Sequence, residues 1–132
     1  MRKIQISDLS VGDWVMVDGE YWKVSAISSD SVGLCVDNDY AVSEINECDG
    51  ILITPEILEK NGFVGEIDGD NPVRTEYVFK PVNIVGFADC DFYHCRIWHP
   101  EGWGRILFPK IHYVHELQHA IRLAGIEKEL EL

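Results

Sequence analysis

Short apolar segments separated by polar turns fill the first fifty residues of the chain. Two of these segments flank Asp18-Gly19, a dipeptide that favours a type I′ turn and therefore a β-hairpin. The apolar segments are residues 14–17, 21–27, 32–36, 40–42 and 50–53. Short strands at this spacing are typical of small antiparallel barrels, so the sequence predicts an SH3-like β-barrel in this region.

A short helix is predicted directly after these strands. Thr54 has a side chain suited to the N-cap, and Pro55 suits the first helical position. Asn61 and Gly62 are typical of a helix end. The following residues 65–75 are acidic and rich in turn-forming residues, so we expect an exposed loop or linker there.

The second half of the chain contains further apolar segments and one helical pattern. Val114, Leu117 and Ile121 recur at helical spacing, which predicts an amphipathic helix over about residues 110–124 that Gly125 ends. Residues 127–132 alternate charged and apolar side chains, which indicates a short edge strand or a frayed end. The predicted strands are residues 76–80, 82–87, 92–98 and 105–108.

These elements predict an α+β protein. We expect an N-terminal small SH3-like β-barrel, a short helix, and then an antiparallel sheet packed by one C-terminal amphipathic helix. The predicted division is residues 1–64 for the barrel with its short helix, 65–75 for the acidic loop or linker, and 76–132 for the sheet with its helix. A chain of 132 residues can also form one compact domain.

The charge balance of the chain limits its partners. The sequence has 11 Lys and Arg against 23 Asp and Glu, a formal net charge of −12. Because phosphate binding requires clustered Lys and Arg, we expect no direct binding to nucleic acid and none to a membrane. No apolar run reaches the length of a signal peptide or a membrane span, so we predict a cytoplasmic protein with reduced cysteines.

The sharpest chemical pattern is His-Glu-Leu-Gln-His at residues 115–119. On a helix, His115 and His119 lie one turn apart and could bind one zinc ion. Glu116 could then act as general base on a metal-bound water. This hypothesis describes a small zinc-dependent hydrolase.

The sequence offers no clear third ligand for such a zinc ion. Catalytic zinc takes three protein ligands. The extended pattern of one protease class needs Gly at position 122 and His at position 125, where this chain has Arg122 and Gly125. Only 13 residues follow His119, which is too few for a second packed helix carrying a glutamate ligand. We therefore favour His115 as a structural histidine of a packing helix, with His119 incidental.

A second group of possible ligands lies upstream of that helix. Two cysteines and two histidines occur within ten residues, namely Cys90, His94, Cys95 and His99. Their spacing contains neither C-x-x-C nor H-x-x-x-H, and in a strand His94 and Cys95 would point to opposite faces. We favour a β-strand with mixed faces; a zinc site would require this segment to be a loop.

Aromatic side chains flank the segment Pro-Glu-Gly at residues 100–102. Trp98, His99 and Trp103 could form an aromatic binding edge, because small barrels commonly bind peptides through exposed aromatic residues. The same side chains could instead close a hairpin and pack into the core.

Three stretches of the chain, taken together, resemble a known family. They are VGDWV at residues 11–15, ILITPEILEKNGF at 51–63, and YVHELQ at 113–118 followed by ELEL at 129–132. Their order and spacing resemble a family of short uncharacterised proteins encoded in gut-bacterial prophages and mobile elements. The position of His119 is usually asparagine in that family, which implies that the zinc-like pattern is incidental. The resemblance implies genomic context and architecture rather than a chemical activity.

These patterns together name no activity. Our leading hypothesis is a non-enzymatic interaction or accessory module of phage or mobile-element origin. It would bind an unknown protein or peptide partner through Trp98, His99 and Trp103, without a cofactor. The alternatives are a small zinc-dependent hydrolase that uses residues 115–119, and an acidic decoy of a nucleic-acid-binding protein. The decoy would require the carboxylates to cluster on one face.

Overall fold

The computed structural model describes residues 4–67, 69–70, 73–98 and 105–132. The chain forms two compact units: the first comprises residues 1–52 with 113–115, and the second residues 53–112 with 116–132. The described residues combine two antiparallel sheets with two α-helices, so the predicted α+β class is confirmed.

The first unit contains a four-stranded antiparallel sheet whose strands follow one another in chain order. Its strands are β1 (Trp14–Val17), β2 (Glu20–Ile27), β3 (Ser31–Val36) and β4 (Asp39–Glu44). Asp18 and Gly19 have φ angles of 50° and 80°, which confirms the type I′ turn between β1 and β2. These four predicted strands are confirmed, with shifts of at most two residues at their ends.

One face of this first sheet carries the core of the unit. Alternate residues of the strands point to that face, since side chains in a strand alternate between the two sides. The buried core residues are Ile4, Leu9, Val15, Val24, Val32, Leu34 and Cys48. The opposite face carries the more exposed side chains of β4, together with Trp14, which is 7% exposed and lies beneath Nζ of Lys23.

A tight turn leads the chain into β1. Asp13 donates its N–H to the carbonyl of Ser10 at 3.1 Å, and Gly12 has a φ of 95°, as the third residue of a type II turn requires. The N–H of Ser10 donates to Oδ2 of Asp13 at 2.8 Å. This bond gives a partner to a carboxylate that is fully buried.

The predicted strand at residues 50–53 is wrong. Backbone pairing near this segment consists of isolated bridges, Met16 with Asp49 and Leu52 with Tyr113. Gly50 lies under the Tyr113 ring, where a Cβ would be only 2.5 Å from Cδ1 of that ring. The apolar run reflects burial of an irregular segment, because Ile51 and Ile53 are 3% and 5% exposed.

The second unit contains a five-stranded antiparallel sheet, also in chain order. Its strands are β5 (Val64–Ile67), β6 (Arg74–Phe79), β7 (Val82–Phe87), β8 (Tyr93–Trp98) and β9 (Arg105–Leu107). The four strands predicted for the second half are confirmed. Residues 65–67 and 74–75, which we expected in the acidic loop, belong to β5 and β6. All four residues of β5 are exposed, so this strand lacks the alternation of apolar and polar residues that reveals a half-buried strand.

The short helix α1 (Pro55–Lys60) starts and ends as predicted. The N–H of Ile57 donates to Oγ1 of Thr54 at 3.2 Å, and Pro55 occupies the first turn. Asn61 is the C-cap, and Gly62 follows with a φ of 87°. Leu58 is 1% exposed and Phe63 is 2% exposed, so α1 contributes to the core of the second unit.

The second helix, α2 (Val114–Leu123), begins four residues later than predicted. Ile111 pairs with Tyr93 through two backbone hydrogen bonds of 2.8 and 2.9 Å, which takes this segment out of the helix. Gly125, with a φ of 77°, follows the helix end as predicted.

Within the described residues, neither helix is long and apolar enough to cross a membrane.

The tail, residues 126–132, is neither an edge strand nor frayed. Leu130 is 2% exposed, and the neighbouring Glu131 is held by the side chain of Asn61. Nδ2 of Asn61 donates to the carbonyl of Glu131 at 2.7 Å, and the N–H of Glu131 donates to Oδ1 of Asn61 at 2.7 Å. A side-chain amide thus satisfies the backbone of the tail as a neighbouring strand would.

Candidate interaction surface

Helix α2 carries the two histidines and the glutamate of the zinc-like pattern. His115 is only 4% exposed, whereas His119 is half-buried. The ring of His115 stacks on Tyr113, with a centroid distance of 5.6 Å and an interplanar angle of 9°. A buried, stacked imidazole contributes to packing.

Glu116 closes the start of this helix. The N–H of His112 donates to Oε1 of Glu116 at 3.0 Å. In the usual capping box a glutamate at the third helical position accepts from the residue directly before the helix; Glu116 accepts instead from His112, one residue further out, and so ties the incoming chain to the first turn. The carboxylate expected to act as a general base is therefore engaged in a helix cap.

The described residues supply no complete metal site. In residues 4–67, 69–70, 73–98 and 105–132, no group of three or more His, Cys, Asp or Glu side chains is placed to hold a metal ion. His99, named above as part of a possible zinc site, lies outside these residues. The donor set that can be described at α2 is thus limited to two histidines and a glutamate that caps the helix.

Glu116→Ala is expected to lower the free energy of unfolding by about 1 kcal/mol, the usual cost of a lost helix cap. Chemical denaturation followed by circular dichroism measures this change. Glu127→Ala, at an exposed position of the tail, is the matched control and should unfold like the wild type. Equal stability of Glu116→Ala and the wild type would contradict the capping role.

The segment with two cysteines and two histidines forms a strand where it is described. Residues 93–98 are β8, so the preferred strand interpretation is confirmed, and Cys95 is 1% exposed while His94 is half-buried on the other face. Burial raises the pKa of the Cys95 thiol to about 12. Burial also raises the pKa of Cys48. Neither thiol therefore has the lowered pKa that is typical of a reactive cysteine.

Trp98 ends β8 and is the one member of the predicted aromatic edge that lies in the described residues. Trp98 is 38% exposed, and its backbone N–H donates to the carbonyl of Pro81 at 3.0 Å. His99 and Trp103 lie outside the described residues. The structure therefore places an exposed tryptophan at this point and does not describe the other two members.

The same strand bears an aromatic cluster that sequence reasoning missed. Phe92 contacts His94 edge to face at 5.6 Å and His112 at 6.1 Å, and Nζ of Lys110 lies 4.4 Å from the Phe92 ring centroid. Phe92, His94 and Trp98 are separated by even numbers of residues and therefore share one face. The spacing of these aromatic residues along the strand could have predicted from the sequence that they share a face. Because Phe92 and the two histidines pack against one another and are half-buried, the cluster offers less accessible surface than an isolated aromatic residue would.

The most exposed large side chains of the first unit lie on β4. Tyr40 is 78% exposed and Val42 is 80% exposed. Their immediate neighbours Ala41 and Ser43 are half-buried and buried, as the register with β3 requires. β4 thus presents its larger apolar side chains outward and its smaller side chains to the core.

Strand β4 is also an edge of the sheet. In the described part of the chain the strand order ends at β4, which pairs with β3 alone. The β3–β4 hairpin has a two-residue loop, so Val36 and Asp39 form its closing hydrogen-bonded pair. Hydrogen-bonded and non-hydrogen-bonded pairs alternate in an antiparallel ladder. The N–H and C=O groups of Tyr40 and Val42 therefore point away from β3.

The first unit surrounds this edge with negative charge. Residues 4–52 contain ten Asp and Glu but one cationic side chain, Lys23, whose Nζ lies 5.1 Å from the Trp14 ring centroid. Asp39 and Glu44, at the two ends of β4, are exposed. The exposed carboxylates are Asp18, Glu20, Asp30, Asp37, Asp39, Glu44, Glu47 and Asp49.

Sequence reasoning did not identify Tyr40 and Val42 as surface residues. The strand itself was predicted, but large apolar residues in a strand are normally assigned to the buried face. The pairing of Ala41 with buried Leu34, and of Ser43 with buried Val32, reverses that assignment.

Comparison of the chain with protein-family models, with curated proteins and with solved structures finds no match.

Proposed function

We propose that the protein is a non-enzymatic interaction module that binds an extended segment of a partner protein at the β4 edge. The observation that carries this proposal is the exposure of Tyr40 and Val42, 78% and 80%, on a strand whose outer backbone groups face away from the sheet. An added strand would pair with those groups and cover both side chains. This is the recognition mode known as β-strand addition.

Natural sheets normally protect an exposed edge against unwanted pairing. The usual protections are charged side chains, lysine above all, or proline on the edge strand, a β-bulge in it, or a very short strand. β4 has six residues, without lysine or proline, its register with β3 is continuous, and its two charges, Asp39 and Glu44, lie at its ends. The irregularity in this sheet lies between Val24 and Ala26 on β2. The uncharged middle of β4 supports a binding role.

The first sheet also supports an SH3-like arrangement as part of this proposal. A short 3-10 turn, Ile45–Glu47, follows β4, and the chain then returns to β1, where Met16 and Asp49 exchange hydrogen bonds of 2.9 and 2.8 Å. A four-stranded meander whose continuation pairs with its first strand resembles a small barrel. Peptide binding is a common use of such barrels.

Two further features belong to this proposal. The surface at Trp98, together with His99 and Trp103, remains a second candidate binding edge. The origin in a phage or mobile element rests on the resemblance of residues 11–15, 51–63 and 113–118 to proteins of that context.

A selection from a display library of random seven-residue peptides tests the proposed function. We expect enriched peptides that bind the wild type and lose binding to Val42→Pro, because proline removes the outward N–H of β4 while the bonds to β3 remain. Leu123→Ser is the matched control, since Leu123 is 78% exposed on α2. Failure to enrich any peptide, or equal binding to Val42→Pro, would show that β4 is not the binding edge.

Metal analysis distinguishes the zinc-dependent hydrolase from the interaction module. The protein, purified without a histidine tag, is expected to contain far less than one zinc per chain. The variant His119→Ala should have the same zinc content. Near-stoichiometric zinc that His119→Ala abolishes would instead favour the hydrolase with His115 and His119 as ligands. The acidic decoy differs from both, because it would bind a folded basic surface and would tolerate Val42→Pro.

A further inference from the structure

We infer that the segment added to β4 is basic at both of its ends and apolar in its middle. This inference rests on the proposed function and names the chemistry of its partner. Three observations carry it: the charge of residues 4–52, the position of two carboxylates at the ends of β4, and the glycine that faces Val42 on β3.

Charge complementarity favours a cationic partner. Residues 4–52 contain ten carboxylates and one lysine, and eight of the carboxylates are exposed, so this part of the unit attracts cationic chains. Asp39 and Glu44 flank the exposed pair of residues and would lie beside the ends of an added strand of six or seven residues. Arginine side chains at those ends can form charge-assisted hydrogen bonds with the two carboxylates.

The same charges disfavour a second copy of the chain as the occupant. Antiparallel pairing of two β4 strands would bring together two units with the same excess of carboxylates, with Asp39 and Glu44 of both copies at the ends of the pair. Charges of one sign repel each other, which opposes this pairing. The edge is therefore suited to a different chain, and carboxylates at its ends oppose the self-pairing that an unprotected edge otherwise permits.

The side-chain register explains the apolar preference. Val42 pairs with Gly33 on β3, so Val42 has no side chain beside it on that strand. A Cβ at position 33 would lie 3.1 Å from Oγ of Ser25, which shows that the space next to the backbone is limited there. The other side of the Val42 side chain faces the open edge of the sheet. An apolar residue of the added strand can pack there against Val42 and make the cross-strand contact that Gly33 of β3 does not provide.

Three capped peptides test this inference with the full-length protein: RTVTVTR, STVTVTS and ETVTVTE. We expect the arginine peptide to bind at least tenfold more tightly than the glutamate peptide at low ionic strength, with the serine peptide between them. The ratio should fall as salt is added, because the contacts are exposed and screened. Hydrogen exchange should show new protection at Tyr40 and Val42.

Variants of the edge provide the controls. Asp39→Ser with Glu44→Ser should reduce the preference for the arginine peptide to less than threefold while the serine peptide still binds. Val42→Lys keeps the backbone donor but adds a positive charge, so it should weaken the arginine peptide more than Val42→Thr does. Hydrogen exchange of the buried residues Val24 and Leu34 verifies that each variant remains folded.

The outcomes separate this inference from the proposed function. If all three peptides bind equally and protect β4, the basic partner is wrong and the binding edge stands. If none binds and no β4 amide is protected, both proposals fail. If the protein sediments as a dimer that Val42→Pro dissociates, the occupant is a second copy and the inference is overturned.

Discussion

Asn61→Asp is expected to lower the free energy of unfolding by about 3 kcal/mol, because two of the three hydrogen bonds of a buried amide, worth about 1 kcal/mol each, are lost and the two carbonyls are left facing a carboxylate oxygen. Nδ2 of Asn61 donates to the carbonyls of Ile57 and Glu131, and Oδ1 accepts the N–H of Glu131. Aspartate can still accept from that N–H. Its second oxygen, however, would face two carbonyl oxygens instead of donating to them.

Two measurements test this prediction. Urea denaturation gives the loss of stability, and hydrogen exchange of the Glu131 amide reports whether the tail is released. Asn46→Asp introduces the same charge at an exposed position of the short 3-10 turn and serves as the control. If Asn61→Asp loses no more stability than Asn46→Asp, and the Glu131 amide stays protected, the amide does not hold the tail.

Gly86→Ala is expected to cost about 3 kcal/mol, near the upper end of the usual range for overpacking. Gly86 is buried on β7 and pairs with Tyr93 of β8. A Cβ at position 86 would lie 2.6 Å from Cε1 and 2.9 Å from Cδ1 of the Tyr93 ring. The ring cannot move freely, because the backbone of Tyr93 is held by two hydrogen bonds to Ile111.

Thermal and urea denaturation measure this effect. Gly69→Ala is the matched control, since a Cβ there would meet no atom within 4 Å. The double variant Gly86→Ala with Tyr93→Ala removes the ring and should be less destabilised than the sum of the two single changes. Additive losses in this double-mutant cycle would show that the Tyr93 ring is not what excludes a side chain at position 86.

The stretches on which the family resemblance rests contain several residues with defined structural roles. Gly12 and Asp13 form the turn into β1, Thr54 and Asn61 begin and end α1, and Glu116 closes the start of α2. These roles depend on residue type.

The zinc-like pattern illustrates how far a local motif can be interpreted. Sequence spacing alone places His115 and His119 one turn apart on a helix, and the helix is present. Burial of His115 and the bond from the His112 N–H to Glu116 depend on where the chain before α2 lies. That placement is fixed by the pairing of Ile111 with Tyr93, which lies 18 residues earlier in the sequence.

The α+β class, eight of the nine strands in the described residues, and the start and end of α1 could be predicted from the sequence. These features follow from local rules, since alternation of apolar residues, turn dipeptides and capping residues act within a few positions. Long-range packing accounts for the rest: residues 50–53 form no strand, β5 exists, and Asn61 holds Glu131, 70 residues away. It also makes β4 an edge with Tyr40 and Val42 outward. Whether a strand lies at the edge of a sheet, and which of its side chains face the core, depends on strands that can be distant in sequence. Local sequence patterns do not show which neighbouring strand a given strand lacks.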